Sequence, residues 1–151
     1  MISWDYVSAF IDGEGTVSNP YNKTSYKPKA FITIGNNDLH ILQMIQDKLK
    51  DDLNMSSSIY LKKTYNNYPQ QYTFAVFGEE KLWILNNYLD LQIEHKRINL
   101  SYWVNKYFEK ENRKLISTYS NISAYHLSPL VGYSINAICN WRKGKYVKNK
   151  T

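Results

Sequence analysis

This sequence of 151 residues contains a single cysteine, Cys139. It also has few residues that interrupt regular structure, with four prolines and six glycines. A single cysteine excludes an intrachain disulfide and a zinc site made from several cysteines. No apolar run approaches the roughly 20 residues of a membrane span, and the first residues lack the basic start and apolar stretch of a secretory signal. We therefore expect a soluble protein that is cytoplasmic or organellar, is not secreted and has no membrane partner.

Acidic residues are missing from the last quarter of the chain. From Arg113 to Thr151 there are seven of the 19 basic residues and no acidic one, whereas residues 1–112 hold 12 basic and all 13 acidic residues. The net charge of +6 is therefore concentrated in one segment. A segment of this kind is typical of a surface that meets a polyanion, and we expect nucleic acid as the partner. The alternative is a solubilising tail.

Apolar spacing predicts an α+β fold in the order αββαββα, with a small C-terminal helical segment. We expect helices at 3–12, 38–49, 79–89 and 92–110, and strands at 16–22, 27–34, 57–64 and 71–77. These elements predict one four-stranded antiparallel sheet with helices on one face. Residues 1–110 then form a core, 111–120 a connector and 121–151 a basic extension.

The extension has the layout of a helix-turn-helix. Apolar residues recur at helical spacing on both sides of Gly132, at Leu127, Leu130, Val131, Ile135, Ile138 and Trp141. We expect it to contact DNA through polar and basic side chains of the second helix and its end, namely Asn136, Asn140, Arg142, Lys143 and Lys145. The alternative is a helical pair that only packs on the core.

The most informative segment follows the first helix signals and reads Val7-Ser8-Ala9-Phe10-Ile11-Asp12-Gly13-Glu14-Gly15. It resembles the motif for which the LAGLIDADG homing endonucleases are named, in the variant that ends Asp-Gly-Glu-Gly. The match covers an apolar residue, two small ones, two apolar ones, then acid, glycine, acid and glycine. The resemblance spans about residues 4–110, and it implies a saddle-shaped sheet and an endonuclease linked to intron or intein mobility.

One copy of the motif implies a homodimer in which two motif helices pack on each other. Ser8 and Ala9 are small enough for close helix approach, and we expect the contact to involve Val7, Ser8, Ala9 and Ile11. Two Glu14 carboxylates then lie side by side and repel unless a divalent cation lies between them. Mg²⁺ suits such oxygen ligands, here Glu14 and a main-chain carbonyl such as that of Gly13, although Mn²⁺ or another divalent ion is possible. We expect Asp12 to hold the turn.

Two further catalytic positions follow from the resemblance. Asn36 stands where the family often has a polar residue that positions a water. Lys96 stands near the start of the last long helix, where the family tends to have a lysine, and we expect it to face the reacting phosphate. An alternative register puts Glu94 at that position, and His95 is an alternative general base. The other interpretation is that Asn36 is a turn residue and Lys96 a surface cation.

The expected partner is double-stranded DNA with a pseudo-palindromic target, because a two-fold axis requires two similar half-sites. A two-stranded ribbon fits the major groove. The residues expected to read or hold DNA lie on the outward sheet face and its loops: Asn22, Lys27, Lys29, Thr33, Lys62, Thr64, Gln71 and Thr73. A polar outer face is also what plain solvation produces.

These observations predict a homodimeric, site-specific double-strand DNA endonuclease that hydrolyses phosphodiesters with a divalent metal at paired Glu14 residues. The alternative is a non-cleaving DNA- or RNA-binding protein on the same fold, such as a transcription regulator or an intron maturase.

Overall fold

The structure is a computed structural model that describes residues 2–21, 28–62, 69–118 and 121–143. Its elements in chain order are α1 (Trp4–Glu14), β1 (Gly15–Val17), β2 (Phe31–Asn36), α2 (Leu39–Leu53), β3 (Ser58–Lys62), β4 (Gln71–Phe77), α3 (Glu79–Leu85), α4 (Glu94–Thr118), α5 (Ala124–Val131) and α6 (Ile135–Arg142). The predicted α+β class and element order are confirmed. No helix in the described part of the chain is long and apolar enough to cross a membrane.

The four strands form one antiparallel sheet in the order β1-β2-β4-β3. Gly15 lies opposite Ile34 at one end of the β1–β2 pair, and Phe31 lies opposite Phe77 in the β2–β4 pair. The predicted four-stranded antiparallel sheet is therefore confirmed. The first two strands are shorter than predicted, since β1 ends at Val17 and β2 begins at Phe31.

One face of the sheet carries the main core. The strand register places five apolar side chains of the sheet on this face: Val17, Ile32, Ile34, Phe74 and Val76. They pack against apolar residues of α1 to α4. Ile32 and Ile34 face this core, whereas Thr33 between them lies on the other face. Ala75 also lies on the outer face and is nevertheless buried. Its small side chain stands in the central strand β4 between Thr33 and Ser58.

Hydroxyl and carboxylate caps start the first two helices. The Ser3 side chain accepts a hydrogen bond from the backbone N–H of Tyr6, and Asp38 accepts one from that of His40, as N-cap residues do. Both helices are longer than predicted. Gly13 remains helical in α1, and α2 continues to Leu53 before Asn54 ends it in the left-handed conformation, with φ of 48°.

The chain divides into two compact units, the first ending at Lys106 and the second starting at Tyr107. Residues 111–118, predicted as a connector, continue helix α4, and the three-part division of the chain stays a prediction. In the second unit, α5 and α6 are joined through Gly132, which has φ of 72°. This unit has its own small core of Ile116, Leu127 and Ile138. Leu130 was expected at an apolar helical position, but it is 78% exposed.

Candidate active site

Glu14 is the last residue of α1, and its side chain is exposed. Within the described residues no side chain or backbone group forms a hydrogen bond or ion pair with its carboxylate. The chain passes directly from this helix into β1 at Gly15, whose backbone N–H donates to the Ile11 carbonyl. A Cβ at Gly15 would stand 2.7 Å from the Ile11 oxygen and 2.8 Å from Ile11 Cα. Glycine is therefore required there, because backbone atoms cannot move aside cheaply.

The carboxylate of Asp12 accepts hydrogen bonds from two backbone N–H groups of the same chain. Its Oδ2 accepts a hydrogen bond of 2.7 Å from the backbone N–H of Gln92, and its Oδ1 accepts one of 3.3 Å from that of Ile93. These two N–H groups immediately precede α4, which begins at Glu94. Asp12 thus ties the end of the motif helix to the start of α4, in keeping with the expectation that it holds the turn.

The structure places Lys96 in a different environment from the expected one. This residue is only 8% exposed, and its Nζ donates to the main-chain carbonyls of Ile11, at 2.9 Å, and Asp12, at 2.5 Å. Carbonyls at the end of a helix have no partner within it and attract cations. The ammonium group is therefore held against the end of α1, unlike the surface cation of the alternative interpretation, and its role toward a reacting phosphate stays a prediction. Glu94 and His95 are both exposed.

Asn36 ends strand β2 and starts the turn into α2. Its side-chain Oδ1 accepts a hydrogen bond of 2.7 Å from the backbone N–H of Asp38, which is a local turn of the kind that asparagine favours. The alternative interpretation of Asn36 as a turn residue is thus supported by a contact. Its role in positioning a water stays a prediction.

The motif helix presents a different face from the one expected at a dimer contact. Val7, Ser8 and Ile11 are buried inside the chain, with Val7 only 1% exposed. They are therefore not on the helix surface, and the expected contact set is corrected. Of the four expected residues, Ala9 alone is exposed.

The exposed residues of α1 are Asp5, Tyr6, Ala9, Gly13 and Glu14. Asp5, Ala9 and Gly13 are four residues apart and Tyr6 is three residues before Ala9, so these four lie along one side of the helix. A Cβ at Gly13 would meet nothing within 4 Å among the described atoms. The sequence analysis did not place Gly13 on this face because it ended the helix at Asp12. Continuing the helical spacing through Glu14 would have placed it there.

The donor set at this end of α1 has the chemistry of a hard-cation site but is incomplete in one copy. Glu14 offers a carboxylate and Gly13 a main-chain carbonyl, and oxygen ligands are those that Mg²⁺ prefers. Asp12 contributes no free carboxylate, since its two oxygens accept backbone hydrogen bonds. In the part of the chain that the structure describes, no group of three or more His, Cys, Asp and Glu residues is placed to hold a metal ion.

Comparison with known protein families identifies the family of this chain. The family model described as a LAGLIDADG-like domain matches residues 5–90, more than half of the chain. The chain belongs to the LAGLIDADG family. The matched residues include α1, the whole sheet, α2 and α3, and they end just before α4. Membership places the chain in a family of DNA endonucleases.

Solved structures with similarity to this LAGLIDADG chain include two homing endonucleases. I-CvuI in complex with its target is 17% identical, with 95% of this chain and 96% of that chain covered and a TM-score of 0.47. I-TnaI is 14% identical, with 98% and 90% covered and a TM-score of 0.45. No curated protein matches the chain.

The outer face of the LAGLIDADG sheet gathers four of the predicted DNA-reading residues. Strand register places Thr33, Lys62, Gln71 and Thr73 on this face, away from the core. Lys29 is exposed just before β2. Asn22, Lys27 and Thr64 lie outside the described residues.

One feature of this outer face was not predicted. Phe31 and Phe77 form a cross-strand aromatic pair with ring centroids 6.1 Å apart, and Phe77 is 51% exposed. Strand parity alone would have identified the pair, since both share the parity of Thr33 and Thr73. No acidic residue lies on this face among its described positions, so these positions carry no charge that would repel phosphate.

In the second unit, the predicted contact residues divide into surface and interior positions. Asn136 and Lys143 are exposed, and Asn140 is half-buried. Arg142 instead donates a 2.6 Å hydrogen bond from Nη2 to the carbonyl of Ile122. Its guanidinium group thus holds the segment before α5, and its contact with DNA stays a prediction. Lys145 lies outside the described residues.

Proposed function

We propose that this chain is one half of a homodimeric, site-specific double-strand DNA endonuclease. The observation that carries the proposal is the Glu14 carboxylate, which is exposed at the end of α1 and has no partner among the described residues. A carboxylate with only a structural role would be expected to cap a helix or pair with a cation, as Asp12 and Asp52 do in this chain. Glu14 does neither, so it is available for an external ligand.

The second element of the proposal is the exposed face of α1. Ala9 and Gly13 are small and four residues apart, a spacing that lets two helix backbones approach closely. Association through this face by a two-fold axis is self-complementary, since each copy offers the same patch to the other. Glu14 follows Gly13 directly, so such pairing brings the two Glu14 carboxylates close together. The second copy would then complete the oxygen donor set that one copy lacks.

The residues that would hold a divalent ion, Mg²⁺ or Mn²⁺, are Glu14 from each copy with the main-chain carbonyl of Gly13. When bound there, such an ion supplies an activated water and stabilises the leaving oxygen of a phosphodiester. The protein itself fixes the acidic group, because Gly15 allows the strand to start directly at the helix end. Asn36 is the side chain we propose to orient a water through its amide nitrogen, since its oxygen is engaged in the turn.

The proposed DNA surface is the outer sheet face with its threonines, Gln71, Lys29 and Lys62. A glutamine side chain can pair with adenine, and lysine with guanine or phosphate. One sheet from each copy would cover one half-site, so the target would be pseudo-palindromic. The exposed Asn136 and Lys143 of the second unit would add contacts outside that footprint. Each neutralised phosphate makes the affinity more sensitive to salt.

The test is to incubate the purified chain with a randomised double-stranded DNA library in Mg²⁺ and sequence the ends that form. The proposal predicts double-strand ends flanked by related half-sites, and no ends when a chelator replaces the metal. Selective retention of DNA with no ends in Mg²⁺ or Mn²⁺ would overturn the proposal in favour of a non-cleaving binder.

A further inference from the structure

Near Glu14, the C-terminal end of α1 and the N-terminal end of α4 are joined by hydrogen bonds from charged side chains of both helices. Lys96 of α4 donates to two carbonyls at the C-terminal end of α1. Asp12 of α1 in turn accepts from the two backbone N–H groups that precede α4. Each helix thus supplies a charged side chain that bonds to backbone groups at the end of the other helix. We call these four hydrogen bonds, made by Asp12 and Lys96, the helix-end clamp.

The signs of these charges suit the positions they occupy. The C-terminal end of a helix carries a partial negative charge and the N-terminal end a partial positive one. In the clamp a cation meets the end of α1 and an anion meets the start of α4, so both contacts are attractive. Charge-assisted hydrogen bonds are also about twice as strong as neutral ones. These four hydrogen bonds therefore restrict the position of the C-terminal end of α1.

Two further side chains of α4 bond to backbone carbonyls that follow Glu14. Asn99 Nδ2 donates to the carbonyl of Val17 at 3.2 Å, and Trp103 Nε1 donates to that of Ser18 at 2.9 Å. Lys96, Asn99 and Trp103 are spaced by three and four residues, so they lie on one stripe of the helix. Backbone oxygens on both sides of Glu14 are thereby held by α4, while the Glu14 side chain has no partner in the part of the chain that the structure describes.

We propose that Asp12 and Lys96 are positioning residues that hold Glu14 at the place where it must meet its counterpart and the metal. The proposal rests on the endonuclease function proposed above and assigns neither residue a contact with DNA or metal. A displacement of about 1 Å at a reacting group can reduce a rate about 100-fold, and loss of a residue that supports a metal ligand typically costs 10- to 100-fold in activity or metal affinity. Loss of the clamp should have effects of this size.

The first variant is Lys96→Met, which keeps a long buried side chain and removes the donor. Its matched control is Arg97→Met, which removes one positive charge from the neighbouring, exposed position of α4. Cleavage is measured in single turnover with protein in excess over a DNA site recovered from the library. We expect the Lys96→Met rate to fall about 10- to 100-fold, the Mg²⁺ concentration for half-maximal rate to rise, and the DNA Kd to stay within about twofold of wild type. Arg97→Met should keep the wild-type rate.

A second readout uses the metal-free protein and needs no cleavage. The Gly15 N–H donates to the Ile11 carbonyl, which also accepts from Lys96. Amide hydrogen exchange at Gly15 should therefore be at least about tenfold faster in Lys96→Met, while exchange in the α2 core stays unchanged. Lys96→Arg, which restores the cation, should recover part of the protection and of the rate. Uniformly faster exchange across the sheet would indicate general destabilisation and would overturn the positioning role.

Asp12→Asn tests the other half of the clamp with little change in shape. We expect its cleavage rate to fall about as much as that of Lys96→Met. In the double variant Asp12→Asn/Lys96→Met, the fold-reduction in rate should be smaller than the product of the two single fold-reductions. Wild-type rates in both single variants would overturn the clamp and leave the proposed endonuclease intact. If wild-type protein does not cleave at all, the proposed function fails, and unchanged Gly15 exchange in Lys96→Met would separately refute the clamp.

Discussion

The hydroxyl of Ser8 accepts a hydrogen bond of 3.0 Å from the backbone N–H of Asp90, in the segment that leads into α4. The same hydroxyl donates to the carbonyl of Trp4 at 2.9 Å. Ser8 therefore joins the middle of the motif helix to a segment 82 residues later in the chain. Its hydroxyl is therefore engaged in contacts within the chain.

Ser8→Ala should lower the stability of each protomer and leave association unchanged. The substitution removes the acceptor for the partly buried Asp90 N–H, and an unsatisfied buried donor costs about 1–3 kcal/mol. Urea unfolding followed by circular dichroism measures the loss, with the exposed Ser101→Ala as control. Equal unfolding midpoints for the two variants would contradict the assignment.

Gly13→Leu should give a folded chain that remains monomeric. The space around the Cβ position at Gly13 is open in one copy, so the leucine does not disturb the protomer, but it would separate two helices that pack through this face. Sedimentation velocity should show a dimer for wild type and for the control Gln43→Leu, which adds the same side chain at an exposed position of α2. A Gly13→Leu dimer of wild-type mass would exclude this face as the contact.

The sequence was sufficient to predict the order of elements, while the role of Glu14 stays a prediction. A strand at 27–34 and a helix at 38–49 were predicted close to β2 and α2, because such patterns depend on local spacing. The face of α1 was mispredicted, because local spacing does not show that Ser8 bonds to Asp90, 82 residues later. The surroundings of Lys96 and Arg142 were missed for the same reason, since each bonds to backbone oxygens that no local pattern identifies.

Asp52→Asn should reduce stability at neutral pH and have less effect in acid. Hydrogen bonding from Lys48, and to a smaller extent from the Trp4 indole, lowers the pKa of Asp52, against the opposing effect of burial. A carboxyl with a lowered folded-state pKa stabilises the protein above its unfolded-state pKa, and this stabilisation is lost as the pH falls through the folded-state value. The difference in Tm between wild type and variant should therefore shrink as the pH decreases. A difference that is constant with pH would contradict this account.

Lys143→Ala should weaken DNA binding and reduce its dependence on salt. This lysine is exposed after α6, and loss of one phosphate contact reduces the salt slope of log Kd by about 1. Fluorescence anisotropy over a range of salt concentrations measures the slope, with the exposed Lys50→Ala on α2 as control. Identical slopes for both variants would show that the second unit makes no phosphate contact through this residue.

Glu14→Gln tests the central claim most directly, because it keeps the size of the side chain and removes only its charge. The measurement is single-turnover cleavage in Mg²⁺ of a site recovered from the library, alongside the Kd for the same DNA. The account predicts that cleavage falls below detection while the Kd stays within about twofold of wild type, since Glu14 acts on the phosphodiester and the sheet binds the DNA. Cleavage by pure Glu14→Gln protein at the wild-type rate would contradict the account.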